Sequence, residues 1–252
     1  MDERTHLPGG SGGVWFAVDP VLGPVVHRPT GPWTPAVHDL LAFVGAAGLD
    51  GVPRVLGFDR EGREILTHLP GRTIEVDEDA APDDVLRDAV AWLRRYHDVV
   101  RGYDPGPRVW RQGNTTLPPG QLICHNDPGA YNWIVDDGRF AGVIDWDQAG
   151  PGYPIDDLAF LCWSAVPLFR EVPVADAARR VELAAAAYGG VAASVLLEAV
   201  TDRMTRASER IEAGIRRGDP GMLTLREHGE PRRTVDRVAQ FTRRLPAIRA
   251  AL

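Results

Sequence analysis

Residues 124 to 132 read CHNDPGAYN, and thirteen positions after Asn132 comes Asp145, within IDWD at 144 to 147. His125, Asp127, Asn132, Asp145 and Asp147 thus fall within 23 residues. An asparagine carbonyl and a carboxylate are hard oxygen ligands, suited to a magnesium ion that keeps several waters and is otherwise held by phosphate oxygens. Asn132 and Asp145 are the candidates for those ligands. Asp127, five residues before Asn132, can face the same ion without ligating it and is free to accept a hydroxyl proton. Two other readings compete. A hydrolytic metal centre built on His125 and Asp127 needs further ligands, whereas His6, His27, His38, His68, His97 and His228 are scattered singly. A purely structural loop would need other partners to offset repulsion between Asp127 and Asp145 if both were buried.

For these residues to meet, the chain must fold back between them. WIVDD and RFAGVID flank Asp137-Gly138, a strong two-residue turn signal, so the sequence predicts a hairpin whose ends carry Asn132 and Asp145. Upstream, VWFAV (14 to 18) and GPVVHR (23 to 28) read as strands, PAVHDLLAFVGAAG (35 to 48) as a helix from a proline to a glycine, and PRVLGFD (53 to 59) with REILTHL (63 to 69) as a second hairpin. GGSGG at 9 to 13 reads as a flexible loop, and the acidic stretch IEVDEDAAPDD as a linker. A helix over 82 to 101 places Val85, Leu86, Ala89, Val90, Leu93, Tyr96 and Val100 on one face, with His97 as a packed core residue. Asp83 and Asp84 follow Pro82 at its start, where negative charge is favoured. Beyond Pro154 helices are expected near 155 to 164, 174 to 188, 191 to 217 and 231 to 246.

Composition narrows the chemistry. The 252 residues contain no lysine, which removes a Walker-type phosphate loop and Schiff-base catalysis together. Two cysteines and no secretory leader suggest neither disulfides nor export, so a cytoplasmic location is expected. The longest apolar stretch, residues 183 to 197, is short and interrupted by Gly189 and Gly190, so no membrane span is expected. Net charge is −7, with 16 arginines against 28 acidic residues up to position 200 and 12 against 7 beyond it. The basic tail interleaves Arg with Asp and Glu, which describes solvated helices rather than a nucleic-acid face. Nothing in the sequence sets an oligomeric state.

The pattern H-x-D-x-x-x-x-N followed by apolar-apolar-Asp resembles the catalytic loop and metal-binding aspartate of the protein-kinase-like phosphotransferases. CHNDPGAYN with IDWDQAGPG and PIDDLAF, together with RPTGPWTPAVHDLL, PRVLGFDREGREIL and LPG, resembles the aminoglycoside phosphotransferase family, in its branch related to trifolitoxin-immunity proteins. The resemblance covers about residues 9 to 169 and implies an α+β, protein-kinase-like two-lobed fold. Its small antiparallel-sheet N-lobe with one helix would be a nucleotide-binding lobe over residues 1 to 70, and a mainly helical C-lobe would span 71 to 252. It further implies transfer of the γ-phosphoryl group of ATP or GTP to a small-molecule hydroxyl, with Mg2+ as cofactor. Asp127 would be the catalytic base and Asn132 and Asp145 the metal ligands. His125 would hold the loop, and Asp157 would anchor the helix behind it. Asp147 would reach a metal-bound water or the acceptor, or else simply face the surface. Thr67 to Leu69 would contact the nucleotide base, and the loop containing Gly12 would cover the phosphates.

The chain departs from that family at one place. Arg28 stands where the family has a lysine that holds the α- and β-phosphates, and the helix at 35 to 48 offers only His38 and Asp39 in place of the glutamate that steadies it. An arginine can grip phosphate bidentately, but its planar head needs a different seat from that of an ammonium. Two functions therefore follow from the resemblance: a small-molecule kinase, or a catalytically degenerate kinase-like binding or immunity protein.

Overall fold

A computed structural model describes residues 5–7, 13–74, 80–111 and 116–252. The chain divides into two compact units, one comprising Met1–Thr73, Arg95–Asp127 and Asn132–Pro154, the other Ile74–Arg94, Pro128–Tyr131 and Ile155–Leu252.

The first unit is built on a five-stranded antiparallel sheet of β1 (Thr5–His6), β2 (Trp15–Asp19), β3 (Gly23–Arg28), β4 (Val55–Phe58) and β5 (Glu64–Thr67), in the order β1-β2-β3-β5-β4. In β3, Val25 and His27 face the core, and in β5 Glu64 and Leu66 do so, the period-two alternation of a sheet with one buried face. Between β3 and β4 runs α1 (Thr34–Ala46), with Pro35 in its first turn, where a missing N–H costs nothing. It buries Val37, Leu40, Leu41 and Val44, which recur at helical spacing. Strand pairing sets Arg28 directly opposite Glu64.

The same unit holds the end of α2 (Asp83–Val100) and two short sheets, β6 (Leu122–Cys124) with β9 (Gly150–Gly152) and β7 (Trp133–Asp136) with β8 (Arg139–Val143). Asp137 and Gly138 both take positive φ, 45° and 74°, as the tight hairpin turn requires. The hairpin is tied to its surroundings by backbone bonds. Val135 exchanges N–H···O bonds with Arg72, and Val143 N donates to Gly51 O at 2.9 Å. At Gly142 a β-carbon would lie 2.4 Å from Gly51 O, so only glycine allows this approach. Tyr96 of α2 packs edge-on to Trp146 and donates its hydroxyl to Ile123 O at 2.7 Å, anchoring β6. Strand β9 is absent from the sequence reading because Gly-Pro-Gly has no strand propensity; pairing with β6 alone places it there.

The second unit is helical: the start of α2, then α3 (Pro154–Ala165), α4 (Val174–Tyr188), α5 (Ala193–Arg217), α6 (Pro220–Glu227) and α7 (Arg232–Ala250). Asp83 in the first turn of α2 takes Arg179 and Arg180 of α4, and Phe241 of α7 is fully buried against Trp163 of α3. Helix α6 was not foreseen, although its signals are in the sequence: Asp219 is the N-cap, accepting from Met222 N at 3.1 Å, and Pro220 follows at the first helical position. Among the described residues no single helix is long and apolar enough to cross a membrane.

Candidate active site

Strand β6 delivers His125, Asn126 and Asp127 into the loop. Asn126 sits at φ 64°, and its amide donates to Gln148 O and Gly150 O, both at 3.1 Å, fastening the loop to the segment after Asp145. The His125 ring is buried against Trp146, with ring centroids 4.6 Å apart. Its Nδ1 accepts from Asp127 N at 3.3 Å and its Nε2 lies 3.2 Å from Ile144 O. That pair of bonds needs a neutral ring with its proton on Nε2. One imidazole thereby spaces the backbone at Asp127 from the backbone beside Asp145.

Across the hairpin, Ile144 N donates to Asn132 O at 2.9 Å, so the residues at its two ends are adjacent. The Asn132 amide nitrogen donates to Asp127 O at 3.0 Å and to Asp127 Oδ2 at 3.2 Å. With that nitrogen committed, the atom Asn132 offers a cation is Oδ1. Asp145 adopts φ 62°, ψ 68°, a left-handed conformation that is uncommon outside glycine, and the chain turns there into a single 3-10 turn, Trp146–Gln148. Strained backbone of this kind concentrates at functional sites.

Arg28, at the end of β3, carries the electrostatics. It donates to Asp145 Oδ1 at 2.7 Å and lies 3.4 Å from Asp147 Oδ1 and 3.7 Å from Glu64 Oε1. Burial opposes its charge, but Asp145, Asp147 and Glu64 outweigh burial and raise its pKa above the ordinary arginine value. Glu64 is held from its other side by His38 of α1, Nε2 to Oε2 2.7 Å. Arg111 lies flat on Trp33, 4.4 Å from the ring centroid, with Nη1 3.5 Å from Asp147 Oδ2. The two aspartates respond oppositely. Burial pushes Asp145 up, yet Arg28 with help from Arg111 brings its pKa below the usual carboxylate value. Burial pushes Asp147 up as well, and there the neighbouring Asp145 and Glu64 leave it raised despite Arg28 and Arg111.

Glu64 and Arg111 had not been singled out in the sequence. A glutamate on the core-facing register of REILTHL, level with Leu66, was the available signal for Glu64. Arg111 has none, because a loop position carries no periodicity. The helix carboxylate expected behind Arg28 is replaced by this strand glutamate. His38 reaches it, whereas Asp39 turns elsewhere, accepting from Tyr103 Oη at 2.7 Å and Arg108 Nη2 at 2.5 Å. Thr67 Oγ1 accepts from Arg54 N at 2.9 Å, and Leu69, just past β5, is half-buried. Asp157 is 1% exposed on α3 in the second unit. Gly12 lies outside the described residues.

Three carboxylates, Asp145, Asp147 and Glu64, thus share two guanidinium groups. Excess negative charge on hard oxygen donors fits a divalent cation such as Mg2+.

Residues 106–194 match the model of the phosphotransferase enzyme family, APH. The trifolitoxin immunity protein of Rhizobium leguminosarum bv. trifolii is 35% identical over 169 residues, 64% of this chain and 61% of the relative. The chain therefore spans somewhat under two thirds of that relative's length. Among solved structures, the amicoumacin kinase hAmiN in complex with AMP-PNP, Ca2+ and Ami superposes with a TM-score of 0.63 at 15% identity, covering 98% of this chain and 88% of the other. The microcompartment-associated aminopropanol kinase gives 0.64 at 13% identity, covering 98% and 91%. At such identities the likeness is one of fold, and it bears out the expected α+β, protein-kinase-like class. Over residues 106–194 the chain is similar to the phosphotransferase enzyme family.

Proposed function

We propose that the protein is a small-molecule kinase that transfers the γ-phosphoryl group of ATP or GTP to a hydroxyl. The observation that carries this reading is the placement of Asp127, whose carboxylate is held by the Asn132 amide at 3.2 Å while Asp145 follows across the hairpin. The acceptor oxygen attacks the γ-phosphorus, the bond to the β-phosphate oxygen breaks, and Asp127 takes the hydroxyl proton. Asn132 Oδ1 and Asp145 would hold Mg2+, which supplies charge neutralisation at the phosphates when bound. Arg28, backed by Glu64 and His38, is positioned to take phosphate oxygens as a planar fork. The similarity to a kinase solved with AMP-PNP and Ca2+ supports a nucleotide and a divalent ion.

In Asp127→Asn the Asn132 contact can persist while the base is lost. Turnover with a panel of hydroxylated small molecules should fall by roughly 10² to 10⁴, with nucleotide affinity retained. Unchanged turnover removes Asp127 as the base.

A second reading is motivated by two observations: Arg28 replaces the lysine and is engaged by Asp145, and a curated relative is named an immunity protein. In that reading the fold binds a ligand without phosphoryl transfer. Calorimetry with ATP and Mg2+ separates the two, since undetectable binding at millimolar nucleotide favours the binding protein.

A further inference from the structure

Asp147 receives one arginine on each carboxylate oxygen, Arg28 on Oδ1 at 3.4 Å and Arg111 on Oδ2 at 3.5 Å. Both distances exceed that of a closed charge-assisted bond, about 2.7–2.9 Å, a length that Arg28 does achieve with Asp145 at 2.7 Å. Asp147 is therefore a loose spacer between two guanidinium edges rather than a tight partner of either. Each edge is also independently braced. Glu64, itself fixed by His38, backs Arg28, and the indole of Trp33 lies under Arg111, so neither fork depends on Asp147 for its orientation. The two side chains are only 14% and 11% exposed, so most of their rotamer freedom is already lost. A phosphate chain offers several oxygens per unit length and accepts planar forks bidentately, which one carboxylate between two arginines cannot match.

We propose that Arg28 and Arg111 form a two-arginine clamp for the nucleotide's polyphosphate, with Asp147 spacing the forks until phosphate oxygens displace it. The clamp does with two forks what the family does with one lysine, and it rests on the nucleotide-binding reading above. It makes Arg111 a phosphate-binding residue and Asp147 a competitor of the phosphates.

Calorimetric titration of ATP, ADP and AMP in Mg2+ tests it on the wild type, Arg111→Gln and Asp147→Asn, with thermal melts to report folding. Arg111→Gln should weaken ATP at least about tenfold while changing AMP less than about threefold. Asp147→Asn should tighten ATP by about threefold or more, because the competing carboxylate is gone. Equal ATP affinity in the wild type and a folded Arg111→Gln overturns the clamp and leaves nucleotide binding standing. No nucleotide binding by the wild type overturns both. Should Arg111→Gln fail to fold, Asp147→Asn decides: tightening supports the clamp, and unchanged or weaker binding overturns it.

Discussion

Replacing Arg28 by methionine tests the charge cluster independently of any ligand. The apolar stem is nearly conserved in volume, so packing contributes little to the change. What is lost is the cation shared by Asp145, Asp147 and Glu64, leaving those three carboxylates with Arg111 and His38. Removing one partner of a buried pair costs about 3–5 kcal/mol. Asp145 is 36% exposed and water can solvate part of its charge, which places the expectation near the lower end, about 3 kcal/mol at pH 7.5. The pH dependence has a definite sign. Without Arg28 the Asp145 and Asp147 carboxyls rise above their unfolded values of about 4, so the folded variant binds more protons and gains stability as pH falls through the raised values. In the wild type, the depressed Asp145 carboxyl contributes stability that is lost as pH falls below the ordinary carboxylate value. Both trends shrink the difference on acidification. Urea midpoints followed by tryptophan fluorescence at pH 7.5 and pH 5 measure it. A penalty under about 1 kcal/mol, or one that grows between pH 7.5 and 5, would refute the reasoning from shared buried charge.

Two further outcomes follow from features away from Arg28. Asp59 accepts from the backbone N–H of Glu61 and Arg63, from Arg63 Nε at 2.8 Å, and pairs with His27 Nδ1 at 2.9 Å; burial opposes its charge, but these bonds win and hold the carboxyl below its usual range. Asp59→Asn should therefore cost about 2–3 kcal/mol at pH 7, with the gap to wild type closing below about pH 4, where the depressed carboxyl gives up its contribution; a gap constant from pH 7 to pH 3 in chemical denaturation speaks against this account. Gly142→Ala must push β8 off Gly51, since the new methyl would sit 2.4 Å from Gly51 O. A loss of about 1–3 kcal/mol is expected from overpacking, and a melt indistinguishable from wild type would show that the two backbones can part freely.

The hairpin was legible because Asp-Gly between alternating apolar runs is a local signal, and both residues take the positive φ that signal demands. The helix over 174 to 188 was equally plain, bounded by Pro173 and Gly189. Within the candidate site, the adjacency of Asn132 and Asp145 follows from that same local geometry. What could not be read locally was the partner of Arg28. Glu64 lies 36 positions away and faces it only through the β3–β5 register, which the sequence leaves open until strand order is known. Arg111 reaches Asp147 from a loop held by Trp33, a contact with no period to betray it.

The guanidinium at the end of β3 also changes which reagents can find this protein. Acylating nucleotide probes tag kinases by reacting with a nearby amine, and a guanidinium stays protonated, hence non-nucleophilic, throughout the physiological range. On the proposed kinase reading, with Arg28 at that position and no lysine side chain anywhere in the sequence, a chemoproteomic survey of that design would leave the protein unlabelled even with nucleotide bound.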